Sequence, residues 1–178
     1  GDKILRPLAD GRLGRADRPF QGLIALDGNL TVGLLAQIAT SPLFDRADLR
    51  IAPASPGKAE RLLPLLGHPG ATLYVNVEEA ELILGCDFGD AALAASALVA
   101  RGANRAVVTH GRNAAAKADT DGCILALPPA VLASRVTGAG DTFMAAHITA
   151  ELRGAGALQA LQLASNAAAA YVSGKSEG

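Results

Sequence analysis

The sequence predicts an α/β fold, a mostly parallel sheet with helices on both faces. Three observations point there. Short apolar runs rich in β-branched residues alternate with longer Ala/Leu-rich stretches of helical character, the rhythm of strand–helix–strand units. Half of the 178 residues are hydrophobic but only 3% are aromatic, so helices can approach a sheet closely through small side chains. Neither an internal repeat nor a low-complexity linker divides the chain, which therefore reads as one α/β unit.

The elements follow in order. Lys3–Leu13 is strand-like with a charged, glycine-punctuated continuation through Arg18, and reads either as a projecting strand or as a frayed end. Gly22–Asp27 (GLIALD) reads as a buried strand ending in an Asp-Gly-Asn turn. Thr31 is placed to cap a helix with Val32, Leu35 and Ile38 on one face. Leu49–Ala54 is the next strand, and Lys58–Leu66 a helix introduced by Pro56. Ala71–Asn76 is a strand, Glu78–Leu84 and Ala91–Ala100 are helices, and Ala106–Thr109 is a further strand. Beyond Thr109 the rhythm changes. Turn signals at His110–Asn113 and Thr120–Gly122 enclose short apolar segments and predict a hairpin. Val136–Asp141 reads as a loop, followed by helices over Thr142–Leu152 and Leu158–Val172.

Composition narrows the function. Sixteen basic and seventeen acidic side chains leave a net charge of −1, without the basic excess of a nucleic-acid binder. The apolar runs are too short for a membrane span, so neither a nucleic acid nor a membrane is the expected partner. Cys86 and Cys123 lack the spacing of a zinc site or disulfide scaffold, and no signal peptide is visible; a reducing cytoplasm is the expected location. His68, His110 and His147 show no metal-ligand spacing, and Cys123 reads as a core residue.

The chemistry concentrates in Thr137-Gly138-Ala139-Gly140-Asp141, directly before a helix. A Gly-x-Gly turn at a helix start leaves backbone N–H groups without partners, adds the positive end of the helix dipole and removes the Cβ atoms that would hold an anion off. Such a turn suits phosphate oxygens whose charge grows during transfer. A carboxylate beside bound phosphate would repel it unless its task is to accept a proton from an attacking hydroxyl, which makes Asp141 a candidate general base. A dinucleotide fingerprint would need a third glycine where Phe143 stands, and the Gly174-Lys175-Ser176 triplet makes no Walker A loop, because Ala169 stands where that pattern needs its first glycine. An ordinary strand-to-helix turn is the bland alternative.

Val136–Ala146 (VTGAGDTFMAA) resembles the C-terminal signature of the ribokinase-like (PfkB-type) carbohydrate kinases. The likeness implies a three-layer ribokinase-like fold, with ATP and Mg²⁺ and a sugar or nucleoside as small-molecule acceptor. It implies that Gly138, Ala139 and Gly140 form the anion hole and that Asp141 is the base, with the amides of Ala139, Gly140 and Asp141 on the transferring phosphoryl group. Asn76-Val77-Glu78-Glu79 is similar to the family's Asn-x-x-Glu motif, which implies that Asn76 and Glu79 help hold Mg²⁺ through water. Thr109-His110-Gly111 matches its Thr-x-Gly, so Thr109, Gly111 and Thr137 would border the nucleotide, and Asn166 would close its pocket.

Within the family the chain looks most like pseudouridine kinases. The marks are Leu8–Leu13, Leu26–Thr31, and Pro53, Ser55 and Lys58; by this likeness Asn29 faces the substrate. The sequence departs from the pattern at Ala52, Val75 and Ser134-Arg135, where relatives carry Asp, Pro and an acidic residue; potassium dependence is therefore not expected. Nothing matches the family's N-terminal lid and sugar-binding segment. The expectation is thus that residues 1–178 form the C-terminal, nucleotide-binding portion of one kinase domain, with residues 1–18 near the lid and a homodimer as its assembly. A non-catalytic nucleotide-binding domain, a ribokinase- or fructokinase-type sugar kinase and, more distantly, a dinucleotide-dependent oxidoreductase are the competing readings.

Overall fold

The computed structural model of the chain describes residues 2–174. Among these, six strands form one sheet in the order in which they occur: β1 (Leu23–Asp27), β2 (Asp48–Ala52), β3 (Ala71–Asn76), β4 (Arg105–Thr109), β5 (Ala115–Asp119) and β6 (Gly122–Ala126). The first four are parallel; β5 and β6 form the expected antiparallel hairpin. Pairing of Asp27 with Ala52 and of Asn76 with Thr109 brings the carboxyl ends of the parallel strands to one edge. Ligands of open parallel sheets bind at that edge.

Alternation along the strands builds two separate cores, because successive side chains point to opposite faces. Leu49, Ile51, Leu73 and Val108 face one side. With the short N-terminal turn Arg6–Ala9 as α1, they meet helix α2 (Val32–Thr40), a 3-10 helix over Pro56–Leu65, α3 (Val77–Leu84) and α4 (Ala91–Ala100). Tyr74 and Val107 face the other side, where α5 (Ala139–Leu152) and α6 (Ala157–Ser173) pack with Phe143, Leu161 and Ala164. The three-layer α/β expectation holds.

Thr31 caps α2 as expected, its Oγ1 accepting from the Leu34 amide at 3.3 Å. Several local expectations do not hold. Asp2–Leu5 and Arg6–Ala9 are short helical turns, the second taking Pro7 near its start, so the N-terminal segment is not a strand; its extended character is confined to a bridge between Arg15 and Arg18. Gly1 lies outside the described residues. On α2 the buried face is Leu34, Leu35 and Ile38, while Val32 in the first turn is 51% exposed. The helix after Pro56 is a 3-10 helix that includes Pro64, whose missing N–H and ring disfavour α-helical bonding. Cys123 is exposed rather than core, because it sits on the edge strand β6. Finally, α5 starts at Ala139, so the residues read as the end of a loop form the helix's first turn.

Candidate active site

A cleft of about 770 Å³ opens at the carboxyl ends of the parallel strands. Ala52 ends β2 and Pro53 follows it, Tyr74 and Asn76 belong to β3, Val107 and Thr109 to β4, and Thr137–Asp141 bring in the start of α5. An apolar branch of about 370 Å³ adjoins it. Thr109, Gly111, Val136, Ala139 and Phe143 are common to both spaces, while Pro129, Val131, Ala169 and Val172 enclose the branch alone.

The turn into α5 is the most constrained part. Gly138 is the N-cap residue in the left-handed region, with φ of +90°, where a side chain is strained. A Cβ there would also stand 2.6 Å from the Tyr171 hydroxyl. Tyr171 donates that hydroxyl to the Thr137 carbonyl at 3.0 Å, and the Arg135 guanidinium lies 4.0 Å over its ring. Arg135 Nε donates to the Tyr171 carbonyl, and the Ser134 and Arg135 amides donate to Val172. Arg135 is thus docked onto α6 rather than freely solvated. The end of α6 holds the turn in shape, through a tyrosine that the sequence pattern did not single out.

No side chain caps α5. The Ala139 amide donates to the Val136 carbonyl at 3.1 Å and the Thr142 amide to the Gly138 carbonyl at 3.0 Å. The amides of Gly140 and Asp141 have no acceptor among the described residues. Of the three amides expected to receive an anion, two are therefore available and one is used to close the turn. The Asp141 carboxylate is exposed on the same first turn and lines the cleft.

Asn76 and Glu79 meet at the start of α3, but they face each other. Asn76 Oδ1 accepts from the Glu79 amide at 2.8 Å, and Glu79 Oε2 accepts from the Asn76 amide at 2.9 Å, a reciprocal capping box. Burial raises the Glu79 carboxyl above its ordinary value, which disfavours the anionic form a cation would want. No group of three or more His, Cys, Asp or Glu side chains suited to a metal ion occurs among the described residues.

Two other sequence candidates fall outside the cleft lining. Asn166 is exposed on α6 and accepts from Gln162 of its own helix, since the branch is lined by the neighbouring Ser165, Ala168 and Ala169. Asn29 is exposed at the end of β1; its amide and side chain donate to Asp27, and it accepts from Lys58 Nζ. Lys58 is accordingly partnered rather than merely solvated.

Beneath the cleft, the α5 side of the sheet carries a buried polar group whose members are separated in sequence. Arg50 bonds both oxygens of Asp48 (2.7 and 2.8 Å), donates to the Tyr74 hydroxyl at 2.9 Å and pairs with Glu151. Arg105 donates to Thr72 at 2.7 Å and to Glu151 at 2.9 Å. His147 is fully buried, with Nδ1 2.9 Å from the Tyr74 hydroxyl; desolvation lowers its pKa to about 4. Burial likewise raises the Tyr74 hydroxyl to about 12, so it remains a neutral phenol in the network.

No helix among the described residues is long and apolar enough to cross a membrane. No curated protein sequence matches the chain. Solved structures do resemble it. A provisionally assigned sugar kinase from Clostridium perfringens is 17% identical with a TM-score of 0.79, over 100% of this chain and 54% of that one. Phosphofructokinase-2 from Escherichia coli is 19% identical with a TM-score of 0.69, over 85% and 51%. Adenosine kinase from Schistosoma mansoni, in complex with 2-fluoroadenosine, is 18% identical with a TM-score of 0.69, over 88% and 51%. These likenesses concern the fold, and the chain spans about half the length of each structure. The family model described as pfkB family carbohydrate kinase matches residues 27–178. That span begins at the last residue of β1 and takes in the cleft and both helices beneath it, and on this ground the chain belongs to the pfkB family of carbohydrate kinases.

Proposed function

We propose that the chain is the nucleotide-binding part of a kinase that moves the γ-phosphoryl group of ATP to a hydroxyl of a sugar or nucleoside. The observation that carries this is the pair of unsatisfied amides at Gly140 and Asp141, on the first turn of an uncapped helix opening into the cleft. Two aligned N–H donors and the helix dipole stabilise an anion there without rearranging at the moment of transfer. In the step proposed, the acceptor oxygen attacks the γ-phosphorus as the bond to the bridging oxygen breaks and ADP leaves. Asp141 takes the hydroxyl proton. Thr109, Gly111 and Thr137 border the phosphates on this reading, and the apolar branch beside them suits a flat base. The branch is bounded by aliphatic side chains, the Phe143 ring and the face of α6 around Ala169.

The residues present fit a nucleotide better than a protein-held metal. Asn76 and Glu79 already satisfy each other, so Mg²⁺ belongs to this proposal as the counter-ion of the phosphates, with Asn76 and Glu79 shaping the strand end beside it. Pseudouridine is the first acceptor to test, on the strength of the subgroup motifs. Asn29 is the candidate acceptor contact at the end of β1, although its present partners are Asp27 and Lys58.

Isothermal titration with ADP, ATP and NAD in the presence of Mg²⁺, followed by phosphoryl-transfer assays on pseudouridine, ribose and fructose, tests the reading. Binding of ADP or ATP with turnover of one acceptor is the expected result. Binding of NAD alone would overturn it. Nucleotide binding without turnover of any acceptor would favour a non-catalytic nucleotide-binding domain.

A further inference from the structure

The buried ion group under α5 has a geometry that apolar packing would not need. Glu151 stands in the last turn of α5, ten residues and about 15 Å along the axis from Asp141. A carboxylate at a helix C-terminus opposes the dipole, so the position is unfavourable unless cations offset it. Two do. One oxygen pairs with Arg50 on β2 and the other with Arg105 on β4. Strands β2 and β4 are separated only by β3, so their backbones stand about 9–10 Å apart across the sheet. A single side chain of α5 is thereby fixed over the central strand from both sides. Arg50 is itself held by Asp48, and Arg105 by Thr72, so neither arginine can follow the helix if it slides.

Phe143, His147 and Ala150 form one buried stripe that sets the rotation of α5, and the side chains of that stripe beyond Phe143 are short or polar, so Glu151 is the group that ties the far end of the helix to particular strands along its axis. Buried ion pairs add little stability over apolar substitutes; their best-attested use is to fix registry.

We propose that Glu151, gripped by Arg50 and Arg105, is a positioning residue that sets the axial placement of α5 and so aims the Gly140 and Asp141 amides into the cleft. The functional half of this inference rests on the phosphate reading of that cleft; the geometric half does not.

Two substitutions in the 178-residue chain separate positioning from general stability. Glu151→Asp keeps the charge but shortens its reach by one methylene, so α5 must shift to keep both arginines. Leu98→Ala removes buried apolar contact from α4, on the opposite face of the sheet from the group. Backbone amide NMR resonances of residues 138–142, ADP affinity and Tm are measured for each. Glu151→Asp is expected to move the Gly140 and Asp141 resonances and to weaken ADP binding roughly tenfold, because small misplacements of a site are costly. Leu98→Ala is expected to lower Tm with those resonances in place. Unchanged resonances in Glu151→Asp would overturn the proposal, as would equal resonance shifts in Leu98→Ala. Should the wild-type chain fail to bind ADP, the phosphate reading falls, and the resonances still decide whether Glu151 sets the helix. If Glu151→Asp does not fold, Arg105→Lys, which keeps a charge but cannot hold Thr72 and Glu151 through separate nitrogens, takes its place with the same expected shifts.

Discussion

At the residue scale, two side chains on α5 with different surroundings make different predictions. Asp141 is exposed on the first turn and has no side-chain partner among the described residues, so its substitution should leave packing intact. If it is the base, Asp141→Asn should reduce turnover by ~10²–10⁴ while nucleotide affinity changes little, read by steady-state kinetics beside ADP titration. Near-full turnover would remove it from the mechanism. His147 is the opposite case, fully buried and held neutral. Its folded pKa of about 4 lies below the ordinary 6.5, so between those values the unfolded chain binds a proton that the folded chain does not. His147 therefore favours the fold fully above pH 6.5 and progressively less as pH falls towards 4, by an amount on the order of 3 kcal/mol. Glu79, raised by burial, works in the opposite sense. Urea unfolding at a series of pH values should show the decline, and His147→Leu should flatten it.

At the element scale, α3 shows how one motif supports two explanations. Asn76 and Glu79 close a capping box, so each satisfies an amide that the helix start would otherwise leave open. Asn76→Ala should cost about 1 kcal/mol of stability, and a double-mutant cycle with Glu79→Ala should show coupling. The same variants should leave the Mg²⁺ requirement of nucleotide binding unchanged if capping is their main work. Loss of Mg²⁺-dependent affinity beyond the loss in stability would restore them to the metal. The motif was visible in the sequence because its spacing serves both purposes. Which purpose it serves depends on where the side chains point, and spacing alone does not carry that. The turn before α5 gives the converse lesson. Gly138 was legible as a conformational necessity, whereas the role of Tyr171 was not, since 33 residues separate it from the glycine it shields.

At the scale of the whole molecule, the chain spans about half the length of the kinase structures it resembles. Its cleft is built from strand ends β2 to β4 and the start of α5, whereas Asn29 lies at the end of β1 outside the lining. On the proposed reading, this chain should bind ADP measurably and bind sugars or pseudouridine weakly when each is titrated alone. Tight acceptor binding without nucleotide would contradict that division. The strand–helix rhythm made the layered sheet legible, and strand boundaries came within a residue or two for β1 to β4. The N-terminal segment misled because its apolar spacing is too short to distinguish a strand from single helical turns, and Pro7 begins a turn as readily as it interrupts a strand.

Read alone, the sequence indicated most of the elements and pointed to the turn before α5 as a candidate site. Hydrophobic period, turn residues and the GAGD glycines are local properties, governed by backbone sterics and hydrogen-bond geometry within a few residues. The tertiary structure alone decided which groups share an environment. It assembled Arg50, Tyr74, Arg105, His147 and Glu151 from four elements into one buried network, and it set Asn76 against Glu79 and left Asn29 and Asn166 outside the cleft. Burial and pairing arise from packing across the sheet, and a one-dimensional pattern holds no record of what stands on the other side.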